Sequence, residues 1–187
     1  MRTLRTEAER EEAAVLVQDR QRWLAKRDLP VPARADVPAL FRDPQTRPTG
    51  LSEDGRLPAC LIPERDPSLG RGKGPCLVLS GVHTLPDQTD DATRLITLWA
   101  SDFAARLGLP LVRSEVPVHH DPEVPHVAAF LRRLTDMGWD LHGHGSGRED
   151  DQVAHLELAA EHRSGLSALL SCRVHDPQTA PDDRGGT

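Results

Sequence analysis

The sequence lacks the features of a membrane protein and of a nucleic-acid-binding protein. Hydrophobic residues make up only 37% of the 187 positions, and no run approaches the roughly 18 apolar residues that span a bilayer. Lysine and arginine number 23 against 29 aspartates and glutamates, a formal net charge of −6, so no basic surface for DNA or RNA is expected. Residues 1–12 are dense in charge where a signal peptide needs an apolar core. We therefore expect a cytoplasmic protein with no membrane and no nucleic-acid partner.

Cysteine is also scarce. The three cysteines, Cys60, Cys76 and Cys172, are an odd number without CxxC spacing, which supports neither a disulfide framework nor a zinc knuckle. Each lies beside apolar residues, which favours reduced thiols that act as small hydrophobic groups. A catalytic or redox thiol is the alternative interpretation.

Length and composition indicate one domain with a loose end. At roughly 150 residues per domain, a chain of 187 residues makes a single unit, to which we assign residues 1–175. The stretch over 176–187 has a composition typical of disorder. No internal repeat is present, so a solenoid is excluded.

Hydrophobic periodicity predicts four helices and six strands. Over residues 6–29, apolar residues recur at three- and four-residue steps; Thr6 and Glu9 predict a capping box, and Pro30 and Pro32 predict the end of the helix. The sequence Glu53-Asp54-Gly55 predicts a tight turn between two strands within 49–64. The remaining predicted elements are helices over 37–41, 92–107 and 127–137 and strands over 76–82, 109–116, 139–144 and 153–158. This order predicts a mixed α/β or α+β fold rather than a regular βαβ array.

The two most apolar predicted strands, over 76–82 and 109–116, flank the long helix. A strand, a helix and a second strand in this order predict two parallel neighbours joined by a right-handed crossover. We therefore place the strand over 76–82 at the centre of a twisted mixed sheet.

Three stretches carry a likeness to one enzyme superfamily. They are Arg22-Trp23-Leu24-Ala25-Lys26-Arg27, then Ala92-Thr93-Arg94-Leu95-Ile96 running to Gly108, and Ala129-Phe130-Leu131-Arg132-Arg133-Leu134 followed by Gly138-Trp139. With the order of elements, they resemble the GNAT superfamily of acyl-CoA-dependent N-acyltransferases over residues 3–159. The resemblance implies a mostly antiparallel twisted sheet with two splayed central parallel strands and about four flanking helices.

The resemblance implies acetyl-CoA, or another acyl-CoA, as cosubstrate. Free backbone amides and the helix dipole at the start of the long helix would bind its pyrophosphate, and the thioester would lie at the end of the central strand. The residues that match this site are Val82, His83, Thr84, Gln88, Thr89, Asp90, Asp91, Ala92 and Thr93. Asp90 stands where the family has a glycine, or Asp91 does in a register shifted by one residue. Like charges 4 Å apart repel by around 1 kcal/mol in water. A helix start capped by its own aspartates is the alternative.

Members of the superfamily often use a tyrosine on the last helix to protonate the departing thiolate. This chain contains no tyrosine, and Leu131 stands at that place. A carboxylate or histidine could still accept the proton of the amine while backbone amides polarise the thioester carbonyl. The candidates at the ends of the two central strands are His83, Glu115, His119 and His120.

The resemblance thus implies transfer of an acetyl or acyl group to a small-molecule amine or an N-terminal amine. A catalytically weakened GNAT-like binding or interaction protein is the alternative, and a homodimer is left open. A metal enzyme is a third interpretation, because His142 and His144 would share one face of a strand and His119-His120-Asp121 could meet them. No diagnostic spacing such as HExxH is present, so we assign no metal site.

Overall fold

A computed structural model describes residues 1–29, 31, 36–66, 74–118, 125–147 and 152–166. These residues form one seven-stranded sheet with the strand order β1-β2-β3-β4-β5-β7-β6. The strands are β1 (Arg2–Thr3), β2 (Thr49–Glu53), β3 (Arg56–Asp66), β4 (Cys76–Thr84), β5 (Leu111–Pro117), β6 (Asp140–Ser146) and β7 (Gln152–Ala159). The α-helices are α1 (Glu7–Ala25), α2 (Val37–Arg42), α3 (Thr89–Arg106) and α4 (Pro125–Asp136), and a 3₁₀ turn, Pro86–Gln88, precedes α3.

Helix α1 begins as the sequence predicts and ends earlier. The Thr6 side chain accepts a hydrogen bond from the Glu9 amide and the Glu9 side chain reaches back, which confirms the capping box. The helix stops because Asp28 adopts a left-handed φ of 51°, and the Leu29 amide donates to the Leu24 carbonyl at 3.1 Å. This C-terminal motif ends α1 short of the predicted boundary, and Pro30 and Pro32 lie outside the described residues.

The predicted hairpin joins β2 to β3. Asp54 and Gly55 have φ values of 47° and 77°, the two positive values that a type I′ turn requires. Strand β3 runs to Asp66, slightly beyond the predicted end. Strand β1 contains only two residues, too few for a periodic pattern, so the sequence did not reveal it.

The central pair confirms the predicted parallel arrangement. Strands β4 and β5 pair in parallel through Leu77↔Val112, Val78↔Arg113 and Leu79↔Ser114. Every other pairing in the sheet is antiparallel among the residues described. Strand β7 lies between β5 and β6, so the last two strands form an antiparallel extension of the sheet.

Apolar side chains on the two faces of the sheet pack against different helices. One cluster joins Leu77, Leu79 and Val112 to residues of α3 and α4. The other joins Cys60 and Ile62 to residues of α1 and α2. Both faces of β3 and β4 are therefore covered, which places these strands in the core.

The described cysteines are buried. Cys60 and Cys76 form no disulfide, and burial raises the pKa of the Cys60 thiol far above its ordinary value, so that thiol is protonated and inert. Cys172 lies outside the described residues. Within the part of the chain that is described, no helix is both long and apolar enough to cross a bilayer.

Candidate functional site

Strands β4 and β5 separate after a short paired segment. Their pairing ends at Leu79 and Ser114, although β4 continues to Thr84 and β5 to Pro117. Past this point the two strands no longer satisfy each other's backbone groups. The unpaired edge is therefore available to another extended molecule.

A bulge in β4 lies at the point of separation. Cys60 pairs with His83 and Ile62 with Ser80. Between these two pairs β4 advances by three residues and β3 by two, so β4 carries one extra residue. Gly81 absorbs the bulge with a left-handed φ of 56°, and a Cβ there would lie 3.4 Å from the Phe41 ring. The bulge re-aims the following residue, and Val82 is left 40% exposed.

A cavity of about 410 Å³ occupies the gap between the strands. It opens toward α1 and α2 through residues that include Val37, Leu40, Thr46, Glu64 and Glu115, and toward α3 and α4 through Thr93, Ile96, Phe130, Leu134 and Trp139. The lining thus includes residues from both faces of the sheet. A site of this volume with mostly apolar walls and a few polar groups is typical of small-molecule pockets.

The structure brings part of the predicted site together. Val82, His83, Thr93 and Glu115 all line the cavity. Thr84 is buried, and its hydroxyl donates a hydrogen bond to Thr89 Oγ1 at 3.1 Å. Five of the predicted residues lie at the start of α3 and do not line the cavity: Gln88, Thr89, Asp90, Asp91 and Ala92. His119 and His120 lie outside the described residues.

His83 is a buried, neutral side chain. It pairs with Cys60, which shares its face of the sheet and packs with α1. It is only 6% exposed, and burial, together with the charge of Arg20, lowers its pKa to about 4. A histidine with so low a pKa is a weak base at neutral pH.

Glu115 is held in place on the face of the sheet that α1 and α2 cover elsewhere. Its cross-strand partner is His155, whose Nδ1 lies 3.6 Å from Glu115 Oε1. A Cβ on Gly147 would lie 3.0 Å from Glu115 Oε2, so the glycine lets the end of β6 approach this carboxylate. The Glu115 side chain is 34% exposed, which leaves the carboxylate accessible from the cavity.

The start of α3 carries an ion pair that the sequence did not reveal. Gln88 occupies the N-cap position and makes no side-chain hydrogen bond to the helix. Arg133 Nη1 of α4 donates to Asp90 Oδ1 at 2.5 Å. Asp90 therefore pairs with the neighbouring helix, and its charge is partly compensated. This contact depends on how α3 and α4 pack against each other, and a local sequence pattern does not encode that packing.

The histidines of β6 are irregularly placed. A register shift between Leu141 and His144 interrupts the alternation of side chains along β6. The prediction that His142 and His144 share one face depends on that alternation. His142 Nε2 lies 3.1 Å from Glu157 Oε2. Among the described residues, no three histidine, cysteine, aspartate or glutamate side chains come together in a way that could hold a metal ion.

Solved structures share this fold. An acetyltransferase described as a member of the GNAT family, from Desulfovibrio desulfuricans, superposes with a TM-score of 0.60, at 12% identity over 85% of this chain and 97% of that chain. The protein has the GNAT fold. An aminoglycoside 6′-N-acetyltransferase from Enterococcus faecium gives a TM-score of 0.55, at 10% identity over 84% of this chain and 94% of that chain.

Another solved structure with the GNAT fold holds a ligand. It is an aminoglycoside 6′-N-acetyltransferase complexed with coenzyme A, with a TM-score of 0.54 and 10% identity over 84% of this chain and 94% of that chain. No protein-family model and no curated protein sequence matches the chain. At these identities the likeness concerns the GNAT fold, and the chemistry has to be argued from the chain's own residues.

Proposed function

We propose that the protein is an N-acyltransferase that transfers an acetyl or acyl group from acyl-CoA to a small-molecule amine or an N-terminal amine. The observation that carries the proposal is the gap between β4 and β5, with its 410 Å³ cavity and the unpaired strand edge beyond Leu79. Acetyl-CoA is the first donor to test, because a structural neighbour is a complex with coenzyme A.

The residues of the gap suit an acyl-pantetheine chain. Bound acyl-CoA supplies the acyl group as an activated thioester. The backbone of Ser80, Gly81 and Val82 lies beyond the last β4–β5 pair and can hydrogen-bond an extended amide-containing chain as a strand would. Backbone N–H groups at the bulge are donors that can polarise a carbonyl oxygen. The exposed Val82 side chain offers an apolar contact to such a chain.

The start of α3 suits the diphosphate end of the donor. The first-turn amides of a helix lack intrahelical partners and attract anions together with the helix dipole. Asp90 and Asp91 lie in that turn and oppose an anion, but Arg133 already binds Asp90. The ion pair removes much of the repulsion that Asp90 alone would cause.

Glu115 is the best-placed proton acceptor in the cavity. It can take the proton of the acceptor ammonium directly or through one water. The neutral amine can then attack the acyl carbon, while backbone donors stabilise the charge that develops on the carbonyl oxygen. His83 fits this role less well because its pKa is lowered to about 4. His119 and His120 stay predictions.

Glu115→Gln tests the mechanism. We expect kcat to fall by about 10²–10⁴-fold, the usual effect of losing a general base, while acetyl-CoA still binds. The measurement is thiol release from acetyl-CoA with a panel of amines. Glu157→Gln is the matched control, because Glu157 lies two residues from the cross-strand partner of Glu115 and outside the cavity lining. Full activity of Glu115→Gln, with a loss in His83→Gln, His119→Ala or His120→Ala instead, would move the base to that histidine.

A binding or interaction protein with the GNAT fold and weakened catalysis is the second candidate. The carboxylates at the start of α3 and the lack of any tyrosine favour it. Isothermal titration with acetyl-CoA separates the candidates, because an active transferase must bind the donor. Absence of both binding and turnover would favour the second candidate.

A further inference from the structure

Glu115 and His155 form a contact pair across strands β5 and β7. They are direct cross-strand partners, so both side chains project from the same face of the sheet. His155 Nδ1 lies 3.6 Å from Glu115 Oε1. Among the described residues, Glu115 lines the cavity and His155 does not. His155 therefore stands behind the carboxylate, where it can influence a bound substrate only through Glu115.

Two glycines at the end of β6 leave room for this pair. A Cβ on Gly145 would lie 3.3 Å from His155 Nε2, and a Cβ on Gly147 would lie 3.0 Å from Glu115 Oε2. The Nε2 and Oε2 atoms thus face the main chain at the end of β6, while Nδ1 and Oε1 face each other. The close main chain restricts both side chains to a narrow range of positions.

The next charged residues on this face are engaged with one another. Arg113 and Glu157 are also cross-strand partners, and Arg113 Nε donates to Glu157 Oε1 at 3.0 Å. His142 of β6 lies 3.1 Å from the other oxygen of Glu157. Neither His142 nor Glu157 belongs to the described cavity lining. This second histidine–carboxylate pair has the same chemistry on the same half of the sheet, so it is a matched control for the first.

We propose that His155 is a positioning residue for the acyl transfer, whose Nδ1–H donates to Glu115 Oε1 and holds the carboxylate toward the amine in the gap. The inference rests on the proposed transferase function and assigns a further residue to the same site. The distance of 3.6 Å is slightly longer than a hydrogen bond. Hydrogen bonds of a catalytic site are often long without substrate and tighten in the complex.

His155 takes up no proton in this step. The proton passes from the acceptor ammonium to Glu115, which keeps the capacity to accept it because each carboxylate oxygen can accept more than one hydrogen bond. A carboxylate that is already oriented reaches the reacting geometry with less loss of freedom. We therefore expect His155 to affect kcat rather than the affinity for acetyl-CoA.

His155→Leu tests the hydrogen bond, and thiol release from acetyl-CoA with the panel of amines is the measurement. We expect kcat to fall by about tenfold, the factor that corresponds to one hydrogen bond to a charged group, with KM for acetyl-CoA unchanged. His155→Asn should recover most of the loss, because the asparagine Nδ2 is as many bonds from the backbone as the histidine Nδ1. His142→Leu is the control and should keep the wild-type kcat. Full activity of His155→Leu, or no recovery in His155→Asn, would overturn the inference.

A double-mutant cycle separates positioning from a general contribution to the fold. If His155 acts through Glu115, His155→Leu should lower kcat no further in the Glu115→Gln background. An equal loss in both backgrounds would show that His155 supports the fold, and it would overturn the positioning role.

Nuclear magnetic resonance tests the contact without turnover. Glu115→Gln should change the ring nitrogen chemical shifts of His155 and leave those of His142 unchanged, because His142 contacts Glu157 instead. Unchanged shifts of His155 would overturn the inference. Absence of thiol release from wild type would overturn the transferase function and the positioning role with it. Thiol release together with full activity of His155→Leu would overturn the positioning role alone.

Discussion

At the scale of single residues, His83 shows how the fold sets the chemistry of a side chain. Beyond the bulge of β4, His83 lies on the same face of the sheet as its cross-strand partner Cys60, the face that helix α1 covers. Burial and the nearby Arg20 guanidinium both disfavour the imidazolium form and lower its pKa to about 4. A free histidine titrates near pH 6.5. The folded protein therefore holds His83 neutral over a pH range in which the unfolded chain protonates it.

We expect His83 to make the protein less stable as the pH falls. Between pH 6.5 and about 4 the imidazole is protonated in the unfolded state and neutral in the folded state. As the pH falls through this range, the free energy of unfolding therefore decreases by up to about 3 kcal/mol. Above pH 6.5 both states are neutral at this site, and the effect vanishes. Urea denaturation at several pH values gives the slope of the free energy of unfolding against pH. We expect this slope to be steeper for wild type than for His83→Gln between pH 6.5 and about 4.

His126→Gln is the control for this pH dependence, because His126 is exposed on α4. Its stability should follow that of wild type across the pH range. Parallel curves for wild type and His83→Gln would show that His83 titrates at its ordinary pKa.

At the scale of elements, the start of α3 combines attraction and repulsion for an anion. The helix dipole and first-turn amides attract phosphate, and Asp90 and Asp91 in that turn repel it. The 2.5 Å contact between Arg133 and Asp90 ties α4 to this helix start. The same contact occupies a guanidinium that would otherwise be available to a diphosphate.

Asp90→Asn should strengthen acetyl-CoA binding by about fivefold, the factor that corresponds to one charge pair at 4 Å in water. The substitution removes a negative charge and frees Arg133, whereas Arg133→Gln should weaken binding. Isothermal titration measures both affinities. Asp19→Asn is the control, because Asp19 forms an exposed ion pair with Arg22 on another helix. Weaker binding by Asp90→Asn would contradict a diphosphate site at this helix start.

The hairpin and the N-terminal cap of α1 were predictable from sequence because their signals are local. Thr6 and Glu9 confirm the capping box, and Asp54-Gly55 forms the predicted turn. The parallel pairing of β4 and β5 was also predictable, because few arrangements accommodate a helix between two apolar strands.

The charged contacts of the site were not predictable in this way. His155 matters because it lies opposite Glu115 in the pairing of β5 with β7. Gly147 matters because of its distance to Glu115, and Arg133 because of its distance to Asp90. Each relation joins residues that are far apart in sequence, and a local pattern does not encode it.

At the scale of the whole molecule, a segment after β7 fastens the far end of the sheet to α3. Ser101 Oγ donates to the Ala159 carbonyl at 2.8 Å and accepts from the Glu161 amide at 3.0 Å. The Arg163 amide donates to Asp102 Oδ1 at 2.9 Å, and Arg106 lies 2.6 Å from Asp102 Oδ2. Asp102 is a buried carboxylate whose two oxygens are both engaged.

We expect Asp102→Asn to lower the free energy of unfolding by about 2 kcal/mol, because it removes the charge from two hydrogen bonds and leaves Arg106 without its partner. Urea denaturation gives the free energy, and Asp19→Asn at the surface should change it by less than about 0.5 kcal/mol. Equal stability of the two variants would mean that the segment after β7 contributes little to the fold.

The separation of β4 from β5 also bears on cooperativity. Three residue pairs join these strands, whereas seven pairs join β5 to β7, so the sheet consists of two half-sheets that meet along a short seam. An extended ligand in the gap would lie between the halves as an additional strand and hydrogen-bond to both of them. Its binding free energy would then add to the free energy of local opening at the seam. Ligand binding in the gap and local opening between the two half-sheets are then thermodynamically linked, so a bound ligand makes opening less favourable.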